Sequence, residues 1–330
     1  SLLGVKTAGE KGFPVGKVNF LHLYPLTFFE FLSALGQEKL RLFLEEYHSY
    51  EPIANPLHEK LLQLLKFYFF IGGMPEAIAK WVETKNPMDS FLVHQSLADT
   101  YKQDFEKYAK KHQLKYLNVL FDQIPYFIGN QFKYSEIHGE YKKRELAPCL
   151  ELLCHANIIH KILHTAGNGL PLGAEINLEW FKIIFLDTAL CQAVIGSDLS
   201  PWFLDPKATF INQGSVVEAF IGQELLCYSM PQRKMNLYFW KREQRTSNAE
   251  VDYLYDYKGQ IIPIEVKSGE GSTLKSMHLF LEEHKKSPYG VRFSTHNYSS
   301  IGNVDSRPHY AVASLAHEEQ REALQSLIES

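Results

Sequence analysis

Ala249–Gly269, AEVDYLYDYKGQIIPIEVKSG, is the stretch on which the reading of this chain turns. Two runs of β-forming residues, EVDYLYDY and QIIPIEVKSG, flank Lys258-Gly259, and a two-residue connection containing Gly between such runs predicts a hairpin. In the first run Asp252 alternates with Val251 and Tyr253, so it faces away from them. In the second, Glu265 and Lys267 lie two apart on one face, while Ile262, Ile264 and Val266 fill the other and suit packing on a helix. Pairing brings Asp252 and the Glu-x-Lys pair together. Two carboxylates beside an ammonium suit a hard divalent cation such as Mg2+, which prefers oxygen ligands and keeps several waters. The ion would activate water and offset phosphate charge, while Lys267 orients the nucleophile or stabilises the transition state.

Spacing alone makes this pattern common; its placement among strongly apolar neighbours and the helix before it give it weight. GSVVEAFIGQELLCYSM, residues 214–230, reads as an amphipathic helix with Val217, Phe220, Ile221 and Leu225 on its apolar arc. Glu224 falls inside that arc and Glu218 at its rim. A carboxylate near a core face is costly unless paired or bound to a cation, so either glutamate is a candidate to complete the site. LYFWKRE reads as a strand, STLKSMHLFLEEH as a helix with Ser272 as N-cap, and VRFSTH and HYAVAS as last strands. Tyr238 and Trp240, beside the site, are candidates to stack on a base.

Outward from this unit, Ser200-Pro201 marks a break. Residues 112–200 read as three short helices, KYLNVLFDQIPYFIG, KYSEIHG and RELAPCLELLCHA, then two strands around a Gly/Pro turn, the layout of a winged helix-turn-helix. Lys142, Lys143 and Arg144 open its third helix. Residues 37–111 read as a helical bundle in which Leu57, Leu61, Leu64 and Leu65 share one face and Pro75 starts a second helix after Gly72-Gly73. Lys102, Lys107, Lys110, Lys111 and Lys115 cluster at its end. A strand is expected around Val18 to Leu23 and a short helix over Thr27 to Leu35.

The chain has 330 residues, 34 basic and 38 acidic side chains and a formal charge of −4, so the molecule as a whole is not built to coat nucleic acid and any DNA contact would be local. Apolar runs such as FYFFIGGM fall far short of a membrane span of about 20 residues, so no membrane partner is expected. Four cysteines, Cys149, Cys154, Cys191 and Cys227, sit in apolar surroundings that suit buried free thiols and a cytoplasmic setting. Cys149 and Cys154, five apart, do not share a helix face, which argues against a zinc site with His155 and His160.

Glu218, Asp252 and Glu265-Val266-Lys267 together resemble the PD-(D/E)XK nuclease superfamily, with its restriction-endonuclease-like αβββαβ core and acidic trio for Mg2+. SLLGV, FPVGKVNFLHLYPLTFFEFL, FIGGMPEAI, FLDTAL, GSVVEAFIGQELL, LYFWKRE and EVDYLYDYKGQIIPIEVKSG, in that order, resemble prokaryotic AAA-type ATPases carrying a C-terminal domain of unknown function similar to that nuclease fold. In that family the helical glutamate corresponds to Glu218, which is favoured over Glu224. The resemblance implies an α+β multidomain chain: 1–36 a remnant of the ATPase core, 37–111 a helical lid, 112–200 the winged-helix-like domain and 201–330 the nuclease-like domain. Catalytic residues would be Glu218, Asp252, Glu265 and Lys267, with Asp252, Glu265 and Glu218 as metal ligands.

Walker A and Walker B would lie upstream of Ser1, which reads as a cut start; Gly16-Lys17 has Lys11 and Val18 where a phosphate-binding loop needs Gly and Ser or Thr. ATP would be bound only by the full-length protein, and the fragment is expected to be a monomer. Two functional readings stay open: Mg2+-dependent phosphodiester cleavage of DNA, or a non-catalytic nucleic-acid or protein-docking module of an ATPase. A third is a partner-recognition part of a signalling ATPase.

Overall fold

A capping box starts the first helix, α1 (Phe28–Ala34): the Glu30 N–H donates to the Thr27 hydroxyl, and the Glu30 carboxylate accepts from the Thr27 N–H at 2.7 Å. The computed structural model describes residues 17, 19–47, 51–107, 109–196, 214–232, 234–243, 249–269 and 273–315. Residues 19–26 carry no strand, contrary to expectation; Phe20, Leu21 and Leu23 are exposed, and the backbone is held by His22 N–H to Pro231 O and Leu26 N–H to Gly73 O. Val18 lies outside the described residues.

The bundle follows as α2 (Glu38–Glu46), α3 (Asn55–Ile71), α4 (Pro75–Thr84) and α5 (Pro87–Phe105). Pro75 and Pro87 both stand in the first turn, where the missing N–H costs nothing. Leu61, Leu64, Leu65, Tyr68 and Phe69 of α3 are buried. No single described helix is long and apolar enough to cross a membrane.

Between α6 (Leu114–Gln123) and α7 (Lys143–His155) the chain makes two 3-10 turns, Ile124–Phe127 and Tyr134–Glu136, the second where a middle helix was expected. Gly139 (φ 125°) lies just past this short segment, which has no room for a second α-turn. β1 (Ile159–Thr165) and β2 (Ile176–Phe185) form the expected antiparallel hairpin, and α8 (Thr188–Ile195) follows. The hairpin is not a detached wing. β1 pairs in parallel with β3 (Leu237–Lys241), so the hairpin forms one side of a continuous sheet with β4 (Glu250–Tyr257), β5 (Gln260–Val266), β6 (Gly290–Ser294), β7 (Ser299–Ile301) and β8 (Val304–Pro308). The order in this eight-stranded mixed sheet is β2-β1-β3-β4-β5-β6-β8-β7, so the break at 200–201 separates in sequence strands that are partners in space. The β2 edge is covered by the segment after α6, through Phe132 N–H to Phe181 O and a bridge between Gln131 and Lys182, which leaves no long free edge there.

α9 (Gly214–Cys227) and α10 (Lys275–Glu283) complete the described fold. HYAVAS is not a strand: His309–Ala311 is a 3-10 turn, and the final pairing is made by β7 and β8 around Gly302 (φ 62°), a turn the sequence reading passed over. Ser272 lies outside the described residues.

Two of the quoted sequence blocks meet at Asp187. Its carboxylate caps α8 through Leu190 N–H (2.9 Å) and also accepts from Gly73 N–H (2.7 Å), joining FLDTAL to FIGGMPEAI. Gly72 (φ 76°) must be glycine there, because a Cβ would stand 2.5 Å from Asp187 Oδ1.

α9 is buried almost all round, so its polar side chains have to be satisfied internally. Gln223 accepts from Thr188 N–H and donates to the Tyr68 hydroxyl, and Glu224 Oε1 accepts from Phe28 N–H at 3.0 Å. Burial pushes the Glu224 carboxyl up to about 8, partly offset by that backbone bond. Between its unfolded value near 4.5 and about 8 the native state keeps a proton that the unfolded chain has lost, so stability falls as pH rises through that window. Glu224→Gln removes this dependence. Urea midpoints measured from pH 5 to pH 9 should fall less for the variant than for the parent; parallel curves would exclude a protonated Glu224.

Candidate active site

Lys258 (φ 50°) and Gly259 (φ 75°) both adopt left-handed backbone, the type I′ geometry that closes β4 onto β5. The ladder runs from Tyr257↔Gln260 to Tyr253↔Ile264. One residue further the Asp252 Oδ2 takes the Val266 N–H at 2.7 Å, so a carboxylate replaces the backbone acceptor and Asp252 is fixed beside Glu265. Lys267 Nζ reaches Glu265 Oε1 at 2.5 Å. The Lys267 backbone is pinned on both sides, donating to Phe293 O (2.8 Å) and accepting from His309 Nε2–H (3.0 Å).

The helical glutamate arrives on α9. Tyr253 Oη donates to the Glu218 carbonyl at 2.7 Å, and this close approach requires Gly222, where a Cβ would lie 2.4 Å from the hydroxyl. The Glu218 side chain then meets Lys182 of β2, with Nζ 2.9 Å from Glu218 Oε1, 2.5 Å from Glu250 Oε1 and 3.8 Å from Asp252 Oδ1. Lys182 is 1% exposed and its ammonium lies 5.3 Å from the centre of the Phe239 ring. Lys241 Nζ, 3.2 Å from Glu250 Oε2, closes the outer side.

The four residues named from sequence therefore gather at one place: Glu218 and Asp252 share Lys182, Asp252 touches the backbone beside Glu265, and Lys267 binds Glu265. Glu224 does not; it serves α1. Trp240 is 4% exposed and packed on Phe280 and His284, so its face is closed to a base, and Tyr238 lines a separate cavity with Gly173, Met235 and Asp256. The described cysteines are free thiols, as expected, with Cys149 and Cys191 buried.

Two site residues escaped the sequence reading. Lys182 sits in WFKIIF, a lysine amid buried β-formers, and that placement is the signal that could have found it. Glu250 lies two before Asp252 on the same strand, the spacing that marks a shared face.

At Lys182, Glu218, Glu250, Asp252 and Glu265 burial opposes the charged form, and partners offset it to different extents. Burial disfavours the Lys182 ammonium, but Glu218, Asp252 and Glu250 outweigh it and hold the group charged above the ordinary lysine range. Burial raises Glu218, Asp252 and Glu265, only partly offset by the lysines. Glu250, less enclosed and touched by two ammonium groups, ends below its ordinary value despite burial.

Among the described residues no group of three or more His, Cys, Asp and Glu side chains is arranged to hold a metal ion. Glu265 Oε2 is buried without a hydrogen-bond partner, and Lys182 Nζ lies 3.8 Å from Asp252 Oδ1. Mg2+ commonly uses one or two carboxylates plus waters, so Asp252 and Glu265 are the carboxylates that would hold such an ion here.

Residues 62–200 match a family described as a domain of unknown function (DUF8612). Residues 213–309 match another, a domain of unknown function (DUF4143) known to occur in AAA-ATPase-associated proteins. No curated protein and no solved structure matches the chain. Lys182 lies in the first matched region and Glu218, Glu250, Asp252, Glu265 and Lys267 in the second, so one buried ion-pair network joins the two. Lys182→Met leaves buried carboxylates unpaired and should cost about 3 to 5 kcal/mol in urea unfolding. Lys80→Ala, at an exposed pair with Glu83, should cost under about 1 kcal/mol. Equal costs would show that the Lys182 network is not structurally coupled.

Proposed function

We propose that the chain is the C-terminal, nuclease-like region of an AAA-type ATPase and that its site cleaves phosphodiester bonds in DNA with Mg2+. The observation that carries this reading is the convergence of Glu218, Asp252, Glu265 and Lys267, three chain segments, beside a buried Glu265 oxygen that has no hydrogen-bond partner. Mg2+, held by Asp252 and Glu265, would supply an activated water and offset phosphate charge. Lys267 holds Glu265 in place and presents an ammonium where negative charge grows on the phosphate. Val266 N–H fixes the Asp252 rotamer, and Tyr253 fixes the helix that carries Glu218. ATP would be bound by the ATPase core, not by these residues.

DNA as substrate is supported by a groove lined by Lys111, His112, Lys115 and Arg144 together with one acidic residue, Glu145, where the two basic clusters of the sequence meet. Lys102, Lys107 and Lys143 are neutralised by Asp122, Asp104 and Glu179. Lys110, Lys111, Lys115, Lys142 and Arg144 have no ion-pair partner among the described residues. On a molecule of net charge −4 this is a local positive patch.

The second reading, a docking module without catalysis, is favoured by Lys182, which neutralises much of the acidic cluster with no metal at all. Cleavage of single-stranded, duplex and branched DNA with Mg2+ separates the two. The parent should cut and the Asp252→Ala, Lys267→Ala double variant should not; equal background from both removes the nuclease reading. If the groove binds duplex backbone, Lys111→Ala, Lys115→Ala, Arg144→Ala together should lower the slope of log affinity against log salt by about 3. An unchanged slope would place DNA elsewhere.

A further inference from the structure

Lys182 is more than a counter-charge. Its ammonium is 1% exposed and set within the carboxylates themselves. A divalent ion bridging Glu218 and Asp252 would need oxygens of both at about 2.1 Å, and that space holds Nζ, 2.9 Å from Glu218 Oε1 and 3.8 Å from Asp252 Oδ1. Nor has the ammonium an easy way out. Its strand is bridged on the outer side by Gln131, Phe239 closes one side, and Glu250 holds it at 2.5 Å. Catalytic sites with two metals place them about 3.5 to 4 Å apart, with carboxylates shared between them. Here one of those two places is filled by the protein.

The other place is different in kind. Glu265 Oε2, on a residue 6% exposed, has no partner, and Asp252 lends its Oδ2 to Val266 while Oδ1 has no cation closer than Lys182. The buried oxygen without a hydrogen-bond partner is therefore on Glu265, Asp252 Oδ1 has only the long contact to Lys182, and the short ion pairs lie on the Glu218–Glu250 side. We infer that Lys182 stands in for a second metal ion: the centre takes a single divalent cation, held by Asp252 and Glu265, and Glu218 is the counter-ion of Lys182 and not a metal ligand. This rests on the metal-dependent reading above and assigns Glu218 a different part from the one its resemblance implied.

The test counts ions, using Mn2+ as the probe with the whole chain and following binding by electron paramagnetic resonance and calorimetry. The parent should take one Mn2+. Glu218→Gln should still take one, whereas Glu265→Gln should lose it, both checked for folding by circular dichroism. Lys182→Met combined with Glu250→Gln, which removes a carboxylate together with the ammonium, should take two. Two ions on the parent, or loss of the ion in a folded Glu218→Gln, overturns the inference and leaves the nuclease reading standing. No ion on the parent overturns both. If the double variant does not fold, the parent and Glu218→Gln counts decide by themselves; if it folds and takes one, Lys182 is not holding a metal's place.

Discussion

A lysine ammonium buried among carboxylates is the interaction on which this structure depends. Taking such charges out of water costs several kcal/mol each, and only tight pairing repays it. Lys182 therefore dictates the position of everything it touches: Glu218 on α9, Glu250 and Asp252 on β4, and through Asp252 the end of β5. These elements come from chain segments far apart in sequence. The network ties β2 to α9 and β4, in addition to the backbone pairing of β1 with β3.

The same constraint governs α9. A helix buried on nearly every side admits polar residues only where each has a defined partner, and Glu218, Gln223 and Glu224 each have one in a different direction. Glu218 faces the site, Gln223 faces the start of α8, and Glu224 faces the start of α1. A single helix thus aligns the N-terminal bundle with the sheet while delivering a carboxylate to the chemistry. The requirement for Gly222 beneath Tyr253 is part of that alignment.

Much of the site was legible in sequence because hairpin geometry is local. A two-residue turn and period-two alternation suffice to bring Asp252 beside Glu265 and Lys267. The choice between Glu218 and Glu224 was not legible by helical wheel, since both lie near the apolar arc; what packs on each side of α9 places Glu218 against Lys182 and Glu224 against the start of α1. Lys182 was missed for a related reason. Its role depends on a parallel pairing between β1 and β3, whose intervening chain exceeds seventy residues, and no local pattern reports a partner at that distance. The wing was misplaced for the same reason: the two outer helices and the hairpin were read correctly, but where the hairpin docks is a tertiary fact. HYAVAS shows the opposite error, in which an apolar run suited to a strand packs instead as a buried 3-10 turn, with Tyr310 on His58.

In the proposed arrangement the acidic centre is divided, with an ammonium on the Glu218 side and a place for a hard cation on the Asp252–Glu265 side. A crystal structure of the chain grown with Mn2+, with anomalous scattering recorded at the manganese edge, looks at this directly. The account predicts one anomalous peak bound by Asp252 and Glu265, with Lys182 still paired to Glu218. A peak at the Lys182 position with the ammonium displaced, or no peak at all, would contradict it.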